Sequence, residues 1–359
     1  MNIDSSTPEL TGPLSDAVHK VSLFLWNDLS SYLPRDLQWD ALALTLILAI
    51  AIWIKRRGHG AKGPDGKARK TGLLQLLLPK DIYTHESAKV DVWLWITTRL
   101  VHPLWAVALL ATVGPLTETG IIGSLQWVFG SSPSLESNLP WMLLYSLVTL
   151  LCYDFAFFIT HYSFHKIPAL WVLHKVHHSA EVLTPLTRYR EHFLAGPIWA
   201  FNTAIGYGVA SGLFAYLFNG DITEATLLNI GFFALLFGFT GSLRHYHVQM
   251  HYPVWLSKWL HSPVMHHVHH SYLEKHWDKN FSVITSLWDR LFGTLYVPEK
   301  DEYTPWGIGE KEQPRYRSFW QNCISPFKDW QQMLSSGAST NAEHEIEPLT
   351  DDNSNSANT

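Results

Sequence analysis

The chain has 359 residues, a length of roughly two to three average soluble domains. Charged residues make up only 16% of it, against about a quarter in soluble globular proteins, and a 14% aromatic content excludes an intrinsically disordered chain. A net charge of −5 provides no basic field for nucleic acid, and two distant cysteines, Cys152 and Cys323, exclude a disulfide scaffold or a cysteine metal site. The unusual quantity is the 20 histidines.

In chain order, the first predicted element is an uncharged run of 14 residues, Ala41 to Ile54, extended to 18 by residues 37–40. At about 1.5 Å per residue it covers most of a hydrocarbon layer about 30 Å thick. It is followed by Lys55-Arg56-Arg57 and no small-residue cleavage site, which reads as a membrane anchor and not a signal peptide. Leu100 to Leu116 is a second predicted span, starting nearer Val92. Trp141 to Thr160 is a third, interrupted by Asp154. Pro197 to Phe218 and Thr226 to Leu243 are the fourth and fifth, joined by a polar turn at Asn219-Gly220-Asp221. The competing reading, buried core helices of a soluble protein, fits poorly with an uncharged run as long as the fourth.

Charge orients the spans. Residues 55–70 carry seven Lys or Arg against one Asp, and residues 115–140 carry no Lys or Arg. The first loop is therefore expected in the cytoplasm and the second outside. Both histidine-rich stretches then begin where a span meets the cytoplasm. The expected organisation is an anchor and basic loop (1–70), a catalytic domain (71–300), a C-terminal extension (301–334) and a disordered acidic tail (335–359). The fold class is all-α integral membrane, with about four to five transmembrane helices and a cytoplasmic helical cap.

Fifteen of the 20 histidines lie between His161 and His276. His161 and His165 stand at i and i+4, on one helix face. His174, His177 and His178 form an HxxHH box, and His266, His269 and His270 form a second, with His267 pointing elsewhere. His245, His247 and His251 add candidates at the end of the fifth span. Interfacial histidines or a pH sensor would not need this crowding, which implies an organising cation. Eight or more imidazoles exceed the demand of one ion, so the spacing predicts a dinuclear site; imidazole suits iron, zinc and copper, and spacing alone leaves iron against zinc open.

The segments DFAFFITHYSFH (from Asp154), LWVLHKVHHSAE, SPVMHHVHHS and WDRLFGTLYVP resemble the fatty acid hydroxylase and sterol desaturase superfamily of integral-membrane histidine-box oxygenases. The resemblance runs from about Lys80 to Pro298. It implies two irons on the cytoplasmic side, held by His161, His165, His174, His177, His178, His266, His269 and His270, with His245 best matching a further family ligand. His192 also matches a family position, as a ligand or a group behind one; His247, His251 and Asp154 are further candidates. It implies O₂ as co-substrate, a separate electron-transfer protein, and hydroxylation or desaturation of a lipid C–H bond in a multi-pass membrane setting, a bacterial inner membrane being favoured over endoplasmic reticulum. Carboxylates such as Asp154, Glu191, Asp278 or Asp289 are expected to orient ligand rings, and Arg188, Arg190 and Arg244 to lie at headgroup level. A dinuclear zinc hydrolase and a non-catalytic protein retaining the boxes are the competing classes. The sequence leaves the lipid, the donor and the oligomeric state open.

Overall fold

The computed structural model describes residues 61–62, 68–69, 75, 77–220, 243–300 and 302–335. The predicted first span, most of the basic loop, nearly all of the fifth span and the acidic tail fall outside them. The described residues are mostly helical: α1 (Lys80–Tyr83), α2 (Glu86–Phe129), α3 (Leu139–Lys166), α4 (Pro168–His178), α5 (Ala195–Phe218), α6 (Val254–Ser257), α7 (Pro263–His269), α8 (Leu287–Phe292) and α9 (Phe319–Ser335). Among the described residues, extended pairing is confined to a two-residue ladder, Ala61–Lys62 with Ala68–Arg69, and to isolated bridges.

Two of these helices, α2 and α3, are long and apolar enough to cross a membrane. Only 6% of the most apolar stretch of α2 is buried within the protein, so it is not a soluble core helix by its packing. The predicted second span lies inside α2, but the helix does not stop at Leu116. It continues to Phe129 through residues read as an external loop. The reason is tertiary: Thr117, Glu118 and Ile121 pack on α5, and Ser211 donates a 2.8 Å hydrogen bond to Glu118.

Helix α5 is the centre of the bundle. Its glycines let two neighbours approach to backbone contact. A Cβ on Gly208 would sit 2.6 Å from the Thr117 Cβ, and one on Gly212 2.7 Å from that of Ile121, both on α2. One on Gly206 would sit 2.9 Å from the Cys152 carbonyl of α3. Gly196 beside His102 at one end, and Tyr216 donating to the Gly130 carbonyl at the other, show that α2 and α5 run parallel. Phe157 stacks on Trp199 while Tyr145 meets Phe214, so α3 is antiparallel to both. Hence α3 ends where α5 begins. The chain leaves α5 at its far end and, by Leu243, is back beside the end of α3.

Proline makes the corner that matters. Pro168 disfavours helical conformation in the residue before it, and Ile167 is extended (φ −104°, ψ 111°). Pro168 then opens α4 as its first residue, a position where its missing N–H costs nothing. The two helices fold back so that the histidines of α4 face those of α3.

Candidate metal centre

Nine histidines converge in two groups. His161, His165, His174, His178 and His269 form one, and His177, His245, His266 and His270 the other; within each group the candidate ligand atoms lie within 4.8 Å of one another. All are buried except His165, which is partly exposed.

Helical geometry explains the division. On α4 the i, i+4 pair His174 and His178 enters the five-histidine group, while His177, about 60° around the axis, enters the other. On α7 and its C-cap the assignment is reversed: His266 and His270 join the four-histidine group and His269 crosses to the five. Each HxxHH box therefore serves both groups. His161 and His165 of α3 complete the larger one, and His245 the smaller.

The inward nitrogens are very close. His161 Nε2 lies 3.0 Å from His174 Nε2, and His165 Nε2 3.1 Å from His178 Nε2. In the smaller group His245, His266 and His270 form a triangle of Nε2 atoms with sides of 2.9, 3.1 and 3.2 Å, and His177 Nε2 is 3.2 Å from that of His245. One shared proton can join two imidazoles but not satisfy a triangle. Four ring nitrogens this close are compatible with a bound cation.

The outward nitrogens fix the tautomers. His161 Nδ1 donates to the Phe281 carbonyl at 2.8 Å, His269 Nδ1 to the Lys279 carbonyl at 2.8 Å and His177 Nδ1 to the Arg190 carbonyl at 3.2 Å. A carbonyl only accepts, so each of these rings carries its proton on Nδ1 and presents a bare Nε2 inward. Burial, aided by repulsion between neighbouring rings, pushes His174, His178, His266 and His270 well below the usual imidazole range. Burial likewise brings His177 down to about 3 and His269 to about 4. Neutral imidazoles are what a metal takes. The donor set fits two divalent ions of the kind nitrogen ligands prefer.

Segment 279–285 works as a strap across the site. It presents the Lys279 and Phe281 carbonyls to the two ligand-type rings, and two carboxylates hold it. Asp289 accepts from the N–H groups of Phe281 (2.8 Å) and Ser282 (3.0 Å). Asp154, inside α3, accepts from those of Ile284 and Thr285 (both 3.0 Å) and from the Thr285 hydroxyl (2.6 Å). The carboxylates thus act one step behind the expected position: backbone carbonyls orient the rings, and Asp154 and Asp289 orient the backbone. Asp278 alone approaches a ring of the groups, with Oδ1 4.0 Å from His165 Nδ1, and it is also paired with Lys166. No sequence signal points to Phe281 or Lys279, because a carbonyl belongs to every residue. The available hint is Asp278-Lys-Asn280, whose flanking residues adopt positive φ (56° and 61°), as Asp and Asn tolerate.

The remaining candidates lie elsewhere. His192 is buried, but its Nε2 donates to the Cys323 carbonyl (3.2 Å) and its Nδ1 accepts from the Leu194 N–H (3.4 Å), outside both groups. His247 packs edge-on to Tyr83. His251 is exposed. His267 lies against Trp306. Arg190 does not face headgroups: it is fully buried, with Nη1 2.9 Å from Asp91 and Nε donating to the Val176 carbonyl. Thr184 and Thr187 also donate to Asp91, so this ion pair staples the end of α4 to α2. Arg244 is buried too and donates to the Val283 carbonyl of the strap.

The sequence comparisons agree with this geometry. Residues 146–294 match the fatty acid hydroxylase family, a range holding all nine histidines and both strap carboxylates. That segment is what the chain shares with the fatty acid hydroxylase family. It is 27% identical over 176 residues to an ornithine lipid hydroxylase of Rhizobium tropici, covering 48% of each chain. It is 26% identical over 177 residues to an alkylglycerol monooxygenase of Danio rerio (46% of this chain, 33% of that one). The human alkylglycerol monooxygenase is 24% identical over 166 residues (44% and 32%). The chain thus spans about half the length of the first relative and a third of the others. No solved structure matches it.

Proposed function

We propose that the chain is a membrane-bound, O₂-dependent diiron oxidoreductase that hydroxylates or desaturates a C–H bond of a lipid. The observation that supports this best is the pair of histidine groups, buried but for His165, that share both HxxHH boxes. His161, His165, His174, His178 and His269 would hold one iron, and His177, His245, His266 and His270 the other. When bound, the two irons supply the activation of O₂. For hydroxylation, R–H, O₂, two electrons and two protons give R–OH and water, the electrons coming from a separate donor protein.

The chain's own residues do the positioning. The carbonyls of Phe281, Lys279 and Arg190 keep the Nδ1 proton on His161, His269 and His177, so a lone pair faces the ion. Asp154 and Asp289 hold the strap, and Trp171 and Trp199 line the larger group, with ring centroids 4.9 Å from His165 and 6.0 Å from His161. The matched relatives act on an ornithine lipid and on alkylglycerols by name, which favours a polar-headed membrane lipid as substrate. The predicted cytoplasmic placement of the site belongs to the same reading.

Protein purified anaerobically in mild detergent should carry two irons per chain and consume O₂ only with lipid present. Lipidomics of cells with and without the protein should show a product at +16 mass units for hydroxylation or −2 for desaturation. Stoichiometric zinc in protein that turns over without O₂ would overturn the reading in favour of a hydrolase.

A further inference from the structure

Helix α9 lies outside the family match, and it buries polar side chains while exposing apolar ones. Its buried face is largely polar: Asn322, Ser325 and Asp329 point into the protein. Each is bonded there. Asn322 donates to the Tyr316 carbonyl (2.7 Å) and accepts from Ser179 (3.0 Å), at the end of α4. Ser325 donates to the Arg315 carbonyl, and Asp329 is paired with Lys175 of α4 and with Arg315. Its outward side carries an apolar stripe, with Trp320 69% exposed, Ile324 46%, Phe327 44% and Leu334 85%, bordered by exposed Gln321, Lys328, Gln331 and Gln332. Positions 320, 324 and 327 follow the i, i+4, i+7 spacing of one helix face. A helix turned this way in water would leave its apolar side uncovered.

Its place in the fold says what covers it. Phe327 packs against His192 and Phe193, directly before α5 starts. Trp330 joins the cluster of Phe164, Leu173, Ala195, Ile198 and Trp199, and its Nε1 donates to the Ala169 carbonyl (2.8 Å) just after α3 ends. Phe319 and Cys323 pack on Val90 and Leu94, near the start of α2. So α9 sits at the level where three long helices begin or end, the level at which a bilayer meets water if α2 and α3 cross it. Arg317 and Lys328, both exposed, suit lipid phosphates at its edges.

We infer that α9 lies in the lipid–water interface, with Trp320, Ile324 and Phe327 in the acyl boundary, and that its polar face fixes the end of α4 at that depth. This rests on the membrane setting proposed above, but on neither iron nor turnover. The test uses the full chain with Cys152 and Cys323 replaced by Ser, in phosphatidylcholine–phosphatidylglycerol nanodiscs. A nitroxide is placed at Ile324→Cys or Phe327→Cys and, as the aqueous control, at Lys311→Cys. Trp320→Cys serves if the Ile324 variant yields too little protein. Collisions with O₂ should exceed those with a water-soluble nickel chelate at 324 and 327, and the order should reverse at 311. Nickel access at 324 equal to that at 311 would overturn the inference by placing the face in water. Low access to both reagents would also overturn it, by showing a protein cover: a partner or a second copy of this chain. Failure of the diiron reading would instead appear in metal content, leaving these collision rates untouched.

Discussion

The two histidine groups share two boxes yet are held in different ways. In the five-histidine group, His161 and His269 lean on neighbouring carbonyls of one strap, and four of its members come from the consecutive helices α3 and α4. In the four-histidine group His177 has its outward nitrogen on the backbone carbonyl of Arg190. The Nδ1 atoms of His266 and His270, like that of His174 in the larger group, are buried without a hydrogen-bond partner among the described residues. The smaller group is drawn from the end of α4, from His245 and from α7, so its geometry depends on long-range packing. The difference teaches that one group is built locally and braced, while the other is assembled by the tertiary fold.

Removing a nitrogen tests the division most severely. His178→Ala and His266→Ala should each abolish lipid oxidation. Each should also bring anaerobically measured iron from two per chain towards one, from different groups. His267→Ala, which alters a ring packed on Trp306 beside His266, should leave iron per folded chain unchanged. Two irons retained in His178→Ala protein would mean that the larger group has been misassigned.

The Arg190–Asp91 pair probes the brace of the smaller group. Arg190→Met leaves a buried carboxylate without its cation, a loss expected to cost about 3–5 kcal/mol of stability. Because the Arg190 carbonyl holds His177, the surviving folded protein should lose metal from the four-histidine group first. Thermal melts and metal content read side by side would show this; equal loss from both groups would break the comparison.

The strap braces the larger group. Asp154→Asn keeps the shape but turns one acceptor oxygen into a donor facing the N–H groups of Ile284 and Thr285. Losing a partner that stands behind a metal-bound histidine costs about 10–100-fold in metal affinity or activity. The loss should appear as faster iron release to a chelator from the five-histidine group. Unchanged release would show that Phe281 keeps its position without Asp154.

Much of the site was legible because imidazole spacing reads directly through helical periodicity. His161 with His165, and the two HxxHH boxes, fall on the expected faces of α3, α4 and α7. The sharing of each box between two groups follows from the 300° turn of i+3, but only once the partner helices are placed. His245 could not be separated from His247 and His251 on spacing, since the distinction is made by where Leu243 to His251 runs and not by residue type. The strap was illegible because its chemistry is backbone. The length of α2 is not legible in the sequence, because Thr117, Glu118 and Ile121 continue the helix through packing against Gly208 and Gly212 of α5. Arg190 was read outward by its charge, and the buried Asp91 that reverses this lies about a hundred residues earlier.

The smallest expected effect separates two carboxylates beside the same group. Asp278 is nearer a ring than Asp154 is, with 4.0 Å between its Oδ1 and His165 Nδ1. It is nonetheless 41% exposed and shares its charge with Lys166, also 41% exposed, and exposed ion pairs contribute about 0–1 kcal/mol. Asp278 also occupies the left-handed region, φ 56°, which Asn tolerates and Ala does not without strain. Asp278→Asn is therefore the clean test, since it removes charge and keeps the turn. Iron release from the five-histidine group should rise by no more than about fivefold, the equivalent of about 1 kcal/mol. A loss in Asp278→Asn as large as in Asp154→Asn would mean that the exposed carboxylate, and not the strap, sets the orientation of the larger group. The bracing assigned to Lys279–Thr285 would then belong to Asp278 and its contact with His165.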